Sequence, residues 1–258
     1  MAKAGRIWVG TSGWQYEHWI GPFYPPGTAS SAFLPFYARH FASVEINSSF
    51  YGLPKATSLQ SWLECTPPDF IFACKASRYI THMKKLKDPQ AGLAAFFAAI
   101  EPLTPKLGPI LFQLPPHWRC NLARLEEFLQ AVPARHRAAF EFRDESWLTA
   151  ETFGLLQKHG AACCCYDLAG REALNDISGD FCYVRLHGPG AAYQGCYGDD
   201  ALLEWARRLI AWSETGRDCY CYFDNDEKGY ATRNAASLLT FLRNRWANIA
   251  APHSTSHI

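Results

Sequence analysis

Eight short runs of apolar residues recur along this chain of 258 residues, and most are separated by segments with the pattern of a helix. The runs have the length and composition of strands that are buried on both faces. They are Ile7–Thr11, Ser43–Asn47, Phe70–Lys75, Ile110–Leu114, Ala138–Arg143, Ala162–Asp167, Phe181–His187 and Cys219–Asn225. Eight alternations of strand and helix over about 250 residues predict an α/β protein with the (β/α)8 TIM-barrel fold.

The segments between the runs carry helix signals. Asn121 precedes one segment and Gly160 follows another, and these residue types are favoured before and after a helix. The predicted helices are Ser31–His40, Thr57–Cys65, Ala91–Ile100, Asn121–Val132, Thr149–His159, Leu202–Trp212 and Thr232–Trp246. The sixth crossover, Leu168–Asp180, is short and polar, which predicts an irregular connection. A doubly wound sheet is the alternative fold, but Gly10–Gly13 after the first run lacks the GxGxxG pattern.

Composition and charge argue against several classes of protein. The net charge of +1 gives no electrostatic signature for nucleic acid or an acidic membrane as the partner. No apolar run approaches the roughly 20 residues that span a bilayer, and residues 1–10 contain no signal-peptide core.

Most of the ten cysteines lie within apolar strand-like runs, which predicts buried thiols in a reducing cytoplasm. We expect one cytoplasmic domain over residues 1–247 and a disordered tail over residues 248–258.

Polar residues share one face of several predicted strands, at the C-terminal end. In Ala138–Arg143, for example, Phe140 and Phe142 alternate with Glu141 and Arg143. A barrel packs apolar residues under its helices and carries its active site at the C-terminal ends of its strands, so we expect the polar faces to line that mouth. The predicted mouth residues are Glu45, Asn47, Lys75, Gln113, Glu141, Arg143, Arg185 and His187, with Asp167 and Asp224 or Asn225 as additions.

So many charges at one mouth must neutralise one another or meet a ligand, because burying an unpaired charge is costly. For any single residue, a structural ion pair such as Glu141 with Arg185 explains the charge as well as a functional role does. For the whole set, the position at the C-terminal ends of the strands favours a functional site.

Loops extend this mouth. The first, Ser12–Thr28, carries Trp14 among several aromatic residues, which predicts a stacking platform for a ligand ring or a hydrophobic plug of the barrel rim. The segment after the second strand, Ser48–Tyr51, would form a wall of the mouth and makes Tyr51 a candidate binding residue.

Two further loops have contrasting compositions. The third, Ala76–Asp88, carries Arg78 and His82, which predicts an anionic group on the ligand, with a solvated surface loop as the alternative. The seventh, Gly188–Gly198, contains four glycines, which predicts a mobile lid or an ordinary exposed loop.

Several of these stretches together resemble the YecE-like family of TIM-barrel proteins, which carry domain of unknown function 72. The resemblance covers residues 5–246 in order. The matching stretches include GTSGWQY at 10–16, VEINSSFY at 44–51, KASRYITH at 75–82, QLPP at 113–116, EFR at 141–143, RLHG at 185–188 and YFDND at 222–226. The resemblance implies a TIM barrel and a distant kinship with sugar isomerases, and it implies no particular reaction.

An acid–base enzyme that acts on a small, anionic, sugar-type substrate is the first functional hypothesis. Glu45 and Glu141 could divide the acid and base roles, as in a glycosidase. In the isomerase version, which the resemblance favours, a glutamate or His187 removes a proton next to a carbonyl, and Lys75 or Arg185 stabilises the resulting oxygen charge.

Two alternatives stay open at this point. The carboxylates and His187 could bind Mg²⁺ or Mn²⁺, although the neighbouring cations would compete with a metal for them; apart from that metal, no cofactor is predicted. The mouth could also bind an anionic ligand such as a nucleotide or oligonucleotide without catalysis, because aromatic and basic residues alternate there. The near-zero net charge disfavours an extended nucleic-acid partner.

Overall fold

All eight predicted strands are present, and they run parallel in the computed structural model, which describes residues 3–173 and 178–250. The strands in chain order are β1 (Ile7–Thr11), β2 (Ser43–Ile46), β3 (Ile71–Lys75), β4 (Leu107–Gln113), β5 (Ala138–Glu141), β6 (Ala162–Leu168), β7 (Arg171–Ala173), β8 (Phe181–Leu186) and β9 (Asp218–Phe223). All but β7 form a nearly closed barrel in the order β1-β9-β8-β6-β5-β4-β3-β2. The predicted (β/α)8 fold is confirmed.

The seam between β1 and β2 closes the barrel through a short contact. A parallel bridge joins Ser12 to Glu45, and the Gly13 amide donates to the Glu45 carbonyl at 2.8 Å. Gly10 permits this close approach, because a Cβ atom there would lie 2.1 Å from the Ser43 carbonyl oxygen. The seam therefore brings Ser12 next to Glu45 at the C-terminal end of the barrel.

Helices connect the strands on the outside of the barrel. They are α1 (Phe33–Tyr37), α2 (Ser48–Tyr51), α3 (Ala56–Glu64), α4 (Pro89–Ile100), α5 (Leu122–Ala131), α6 (Ala150–Lys158), α7 (Asp199–Glu214) and α8 (Tyr230–Ala250). The Asn121 side chain caps α5 by accepting from the Arg124 amide at 3.0 Å. Gly160, at a φ of +64°, follows the end of α6, as its residue type predicted.

The sixth crossover is irregular, as predicted. The chain turns back after β6, and β7 pairs antiparallel with it so that Leu168 lies opposite Arg171. Residues 174–177 of this crossover lie outside the described residues. At the C-terminus, α8 includes residues 248–250, which the sequence assigned to the tail, and the rest of that predicted tail, 251–258, lies outside the described residues.

The alternation of side chains divides the core into two layers, as the sequence predicted. Outward faces of the strands pack under the helices with residues such as Phe112, Phe140 and Val184. Inward faces fill the N-terminal part of the barrel, where the Trp8 and Tyr220 rings stack with their centroids 4.7 Å apart. Polar side chains of the inward faces therefore gather at the C-terminal end, called the mouth below.

Seven of the ten cysteines are buried, as the sequence predicted for most of them. Among the described helices, none is long and apolar enough to cross a membrane.

Candidate functional site

Arg185 is the centre of a charged network at the mouth, and its side chain is fully buried. Its guanidinium donates to Glu45 Oε1 at 2.8 Å and to Glu141 Oε2 at 2.9 Å. It also donates to Asp224 Oδ2 at 2.9 Å. Carboxylates from three different parts of the barrel therefore share one cation, whose fixed fork of donors suits such an arrangement.

Glu45 is fully buried, and each of its carboxylate oxygens accepts at least two hydrogen bonds. Besides Arg185, its donors are the Ser12 hydroxyl and the Tyr183 hydroxyl, the latter at 2.7 Å. Burial and the adjacent Glu45 charge raise the pKa of Tyr183 well above its usual range, so Tyr183 remains a donor. Glu45 is therefore held in place as a carboxylate.

Glu141 is also fully buried, and it forms ion pairs with both Arg143 and Arg185. Burial alone would raise the pKa of Glu141, but the two guanidinium groups hold it well below its usual range. Glu141 therefore stays ionised, and its carboxylate is engaged by both arginines.

His187 lies between the arginines and Asp224, and it is fully buried. Its Nε2 lies 2.9 Å from Arg143 Nη2 and 3.3 Å from both Arg185 Nη1 and Glu141 Oε1. A guanidinium group can only donate, so the nearest contact makes Nε2 an acceptor. The hydrogen is then on Nδ1, which lies 3.1 Å from Asp224 Oδ2 and donates to it. Both ring nitrogens are thus occupied.

Asp224 is the carboxylate of this network that reaches the opening. Its Oδ2 accepts from Arg185 and His187, while Oδ1 has no hydrogen-bond partner within residues 3–173 and 178–250. The side chain is 11% exposed, whereas those of Glu45 and Glu141 are fully buried. Burial would raise the pKa of Asp224, but Arg185 and His187 lower it. A substrate in the mouth can therefore reach one ionised oxygen.

Lys75 ends β3 and faces the network without touching it. Its Nζ lies 4.6 Å from the centroid of the Phe50 ring, and it forms no hydrogen bond or ion pair with any described residue. Burial first, and then the positive charge of Arg185, lower the pKa of Lys75 from 10.5 to about 8. Roughly a tenth of the amine is therefore neutral at pH 7.

Lys106 shows what a structural lysine looks like in the same protein. It is also buried, but its Nζ donates to the Leu63 carbonyl at 2.7 Å, to the Thr66 carbonyl at 2.8 Å and to the Thr66 hydroxyl at 2.9 Å. Three hydrogen bonds satisfy the three donors of an ammonium group. Lys75 lacks such partners, which argues against a purely structural role.

Lys75 and Asp224 face each other across the mouth. Each charge shifts the pKa of the other, yet their nitrogen and oxygen atoms are more than 4.0 Å apart. The two groups therefore influence each other electrostatically without forming a direct ion pair.

The rim next to Lys75 is basic and aromatic. The Phe50 ring packs edge-on against the His82 ring, with 5.0 Å between their centroids. Burial, followed by the charges of Lys75 and Arg78, lowers the pKa of His82. Arg78 is exposed and forms no ion pair with a described residue. These groups could receive an anionic substituent.

Several buried polar atoms of mouth residues lack a hydrogen-bond partner among the described residues. Apart from Glu141 Oε1, which forms an ion pair with Arg143, they include Asn47 Oδ1, Gln113 Oε1 and Arg143 Nε. Buried polar atoms are normally paired, so these donors and acceptors are available to a ligand or to water. The other end of the Asn47 amide donates to Ser12 Oγ at 2.7 Å, which fixes its orientation.

The seventh loop lies over His187. The Tyr193 ring meets the imidazole edge-on with centroids 5.5 Å apart, and the Tyr193 amide donates to the His187 carbonyl at 2.6 Å. Tyr193 itself is 44% exposed, so it covers the charged network from the solvent side. This position suits the predicted lid.

Four predicted residues are not brought into the network. Trp14 is buried and packs edge-on against Trp62, so the plug role of the first loop applies to it. Asn225 faces away from the mouth, and its amide donates to the Gly195 carbonyl and to Asn234 Oδ1. Asp167 lies on the outward face of β6 with the helix-facing Cys165, because the strand places Tyr166 inward. Tyr51 is 75% exposed at the rim.

Two residues of the network escaped the sequence analysis. Ser12 Oγ lies 3.1 Å from Arg185 Nη2 and bonds to Glu45 and Asn47, so it links both sides of the seam. Tyr166 lies beneath the Arg143 guanidinium, 5.2 Å from its ring centroid. Ser12 follows β1 with the inward parity of Trp8, and Tyr166 shares the inward parity of Cys164 in β6, so strand parity would have found both.

The same geometry bears on the metal hypothesis. Within the described ranges, no three His, Cys, Asp or Glu side chains are placed to hold a metal ion. The carboxylates at the mouth point their oxygens at Arg143 and Arg185 instead. These residues do not fit a divalent metal site.

Fold and site together define a TIM-barrel protein with an arginine-centred charged network at the C-terminal mouth of the barrel. The sequence matches the family described as "Protein of unknown function DUF72" over residues 8–257, and the chain belongs to that family. The resemblance noted from the sequence is thereby confirmed.

Relatives in bacteria support the same assignment. The UPF0759 protein YunF of Bacillus subtilis is 27% identical over 281 residues, which cover 95% of this chain and 97% of YunF. The UPF0759 protein YecE of Escherichia coli is 32% identical over 138 residues, or 53% of this chain and 48% of YecE.

Solved structures agree on the fold. A DUF72 family protein from Thermotoga maritima superposes with a TM-score of 0.84 at 30% identity, over 92% of this chain and 99% of that protein. A DUF72 family protein from Enterococcus faecalis gives a TM-score of 0.79 at 17% identity, over 92% of this chain and 95% of that protein.

Proposed function

We propose that this protein is an acid–base enzyme that moves a proton next to the carbonyl group of a small, anionic, sugar-type substrate. The observation that carries the proposal is the facing pair of Lys75 and Asp224, whose amine and Oδ1 atom have no hydrogen-bond or ion-pair partner among the described residues. Asp224 Oδ1 takes the proton, and Lys75 stabilises the charge that develops on the carbonyl oxygen.

The buried glutamates are assigned a positioning role in this proposal. Glu45 and Glu141 are paired with Arg185, and neither reaches the opening. They hold the guanidinium that in turn holds Asp224, as second-layer groups commonly orient a reacting group. The acid and base roles that the sequence suggested for them are better supported for residues at the opening.

The character of the substrate follows from the rest of the mouth. Unpaired polar atoms of Asn47, Gln113 and Arg143 suit hydroxyl groups, which both donate and accept. Arg78 and His82 at the rim suit an anionic substituent, such as a phosphate or carboxylate. A small phosphorylated ketose or aldose combines these features.

Hydrogen exchange with solvent tests the proposal without knowledge of the product. Removal and return of a proton next to a carbonyl in D₂O introduces deuterium at that carbon, which NMR or mass spectrometry detects. We expect exchange with at least one member of a panel of phosphorylated ketoses and aldoses. The Asp224→Asn variant should lower the exchange rate by about 10²- to 10⁴-fold, the usual contribution of a positioned base.

Asp218→Asn is the matched control. Asp218 lies on the inward face of the same strand, β9, at the other end of the barrel, where it pairs with Arg137 at 2.7 Å. This variant should exchange deuterium at the wild-type rate. Exchange with no panel member, despite measurable binding, would show a non-catalytic binder and overturn the proposal, as would unchanged exchange in Asp224→Asn.

A further inference from the structure

Lys75 has the placement of a nucleophile, and the proposed function does not require one. We infer that the Lys75 amine forms a covalent imine with the carbonyl carbon of the substrate, so that the site selects aldehydes and ketones. This inference rests on the proposed function: Asp224 still removes the proton next to the carbonyl carbon, and a covalent role of Lys75 replaces the electrostatic role given to it there.

Three features of Lys75 support the inference. Its Nζ has no carboxylate partner among the described residues, so no ion pair holds it as an ammonium ion. The face of Phe50 lies 4.6 Å from Nζ and shields it from water on that side. The lysine also stands at the end of β3, on the barrel face where reacting groups converge.

Burial is the main cause that favours the neutral form of Lys75. Arg185 also opposes its protonation, while the carboxylates of Asp224, Glu141 and Glu45 favour the charged form. The groups that face Lys75 are Glu45 on β2, Arg78 and His82 after β3, Glu141 on β5, Arg185 on β8 and Asp224 after β9. A lysine that is desolvated or placed next to another cation is a recognised Schiff-base nucleophile.

Formation and hydrolysis of the imine require no oxidant, reductant or second substrate. The neutral amine adds to the carbonyl carbon, one proton from the amine and one from solvent convert the carbonyl oxygen to water, which leaves, and the nitrogen becomes a cationic iminium. The iminium draws electrons from the adjacent C–H bond, whose proton passes to Asp224 Oδ1. Return of a proton and hydrolysis with one water molecule regenerate the carbonyl group and the free amine.

Reductive trapping tests the inference directly. The protein is incubated with dihydroxyacetone phosphate or glyceraldehyde 3-phosphate and sodium cyanoborohydride, which adds hydride to an iminium carbon and leaves a stable secondary amine. We expect one adduct per chain by intact mass, located at Lys75 by peptide mapping. In Lys75→Arg the amount of adduct should fall at least 10-fold. Lys87→Met, which replaces an exposed lysine in the loop after β3, should give as much adduct as the wild type.

The Lys75→Arg variant also separates this inference from the proposed function. Arginine keeps the positive charge but cannot form an imine, so deuterium exchange should fall at least 100-fold if the imine is required. Exchange that persists in Lys75→Arg, or exchange by the wild type without any trapped adduct, would overturn the imine and leave acid–base catalysis standing. Labelling spread evenly over surface lysines would likewise overturn it.

Discussion

At the scale of single residues, the partly buried Lys75 and the buried Lys106 contrast most clearly. Lys106 donates to three oxygens, whereas Lys75 faces a charged network and has no partner among the described residues. Strand parity predicted that Lys75 would reach the mouth, but the sequence could not show that it would be left unpaired. That outcome depends on where Arg185 directs its donors, which is set by contacts between distant strands.

Replacing Lys75 by methionine should stabilise the protein at pH 7. The pKa of Lys75 is about 8 in the folded protein against 10.5 ordinarily, so the unfolded chain binds more protons between these values. The free energy of unfolding of the wild type therefore rises with pH through this window. The variant lacks the amine, so its stability does not have this pH dependence. We expect Lys75→Met to raise the free energy of unfolding by about 1–2 kcal/mol at pH 7, after allowance for partial exposure.

Urea denaturation at pH 7 and at pH 9.5 measures this effect, and the advantage of the variant should shrink at the higher pH. Lys106→Met is the contrasting control, because it leaves the oxygens of Leu63 and Thr66 without their donor. It should lower the free energy of unfolding by about 1–3 kcal/mol. A loss of stability in Lys75→Met of similar size would mean that Lys75 is a structural lysine.

At the scale of elements, the loop after β8 is the part that connects the site to solvent. Gly188 begins it with a φ of +118°, and its amide donates to the Tyr197 hydroxyl at 2.9 Å. Asn225 and Asn234 hold the far side of the loop through Gly195 and Tyr197. The glycine content predicted a mobile lid or an ordinary exposed loop, whereas the anchoring role of Asn225 could be recognised only once its outward orientation was known.

Gly188→Ala should disturb this loop. A Cβ atom at residue 188 would lie 2.2 Å from the Gln194 carbonyl oxygen, and the left-handed backbone conformation is itself unfavourable for alanine. We expect a loss of about 1–3 kcal/mol in the free energy of unfolding, together with slower deuterium exchange. Gly190→Ala, where nothing lies within 4 Å of the new atom, should change stability by less than about 0.5 kcal/mol. Equal effects in both variants would contradict this account of the loop.

At the scale of the whole molecule, the barrel interior changes character along its axis. Stacked Trp8 and Tyr220 fill the N-terminal end, tyrosine hydroxyls such as Tyr183 follow, and the arginine-centred network occupies the mouth. The sequence predicted this polarity, because alternation places one set of side chains inside and the order along each strand sets their depth. It could not predict the pairing within the network, since each pair joins strands far apart in the chain.

Two predicted residues also show that the sequence alone does not determine where a side chain points. Asp167 lies one residue beyond the inward position of β6, and a shift of one residue moves a side chain to the other face. Trp14 belongs to an aromatic loop whose composition fits a ligand platform or a plug equally well, and only its packing against Trp62 separates the two.

Lys75 and Asp224 face each other across the mouth, and the Lys75 amine and Asp224 Oδ1 have no hydrogen-bond partner among the described residues. NMR titration of ¹³C-labelled lysine side chains, with the Lys75 signal assigned through Lys75→Arg, measures this directly. We predict that Lys75 titrates with a pKa of about 8. Asp224→Asn should lower that pKa further because it removes an opposing charge, and Asp218→Asn should leave it unchanged. A Lys75 signal that titrates with the surface lysines near 10.5, or that ignores Asp224→Asn, would contradict the account.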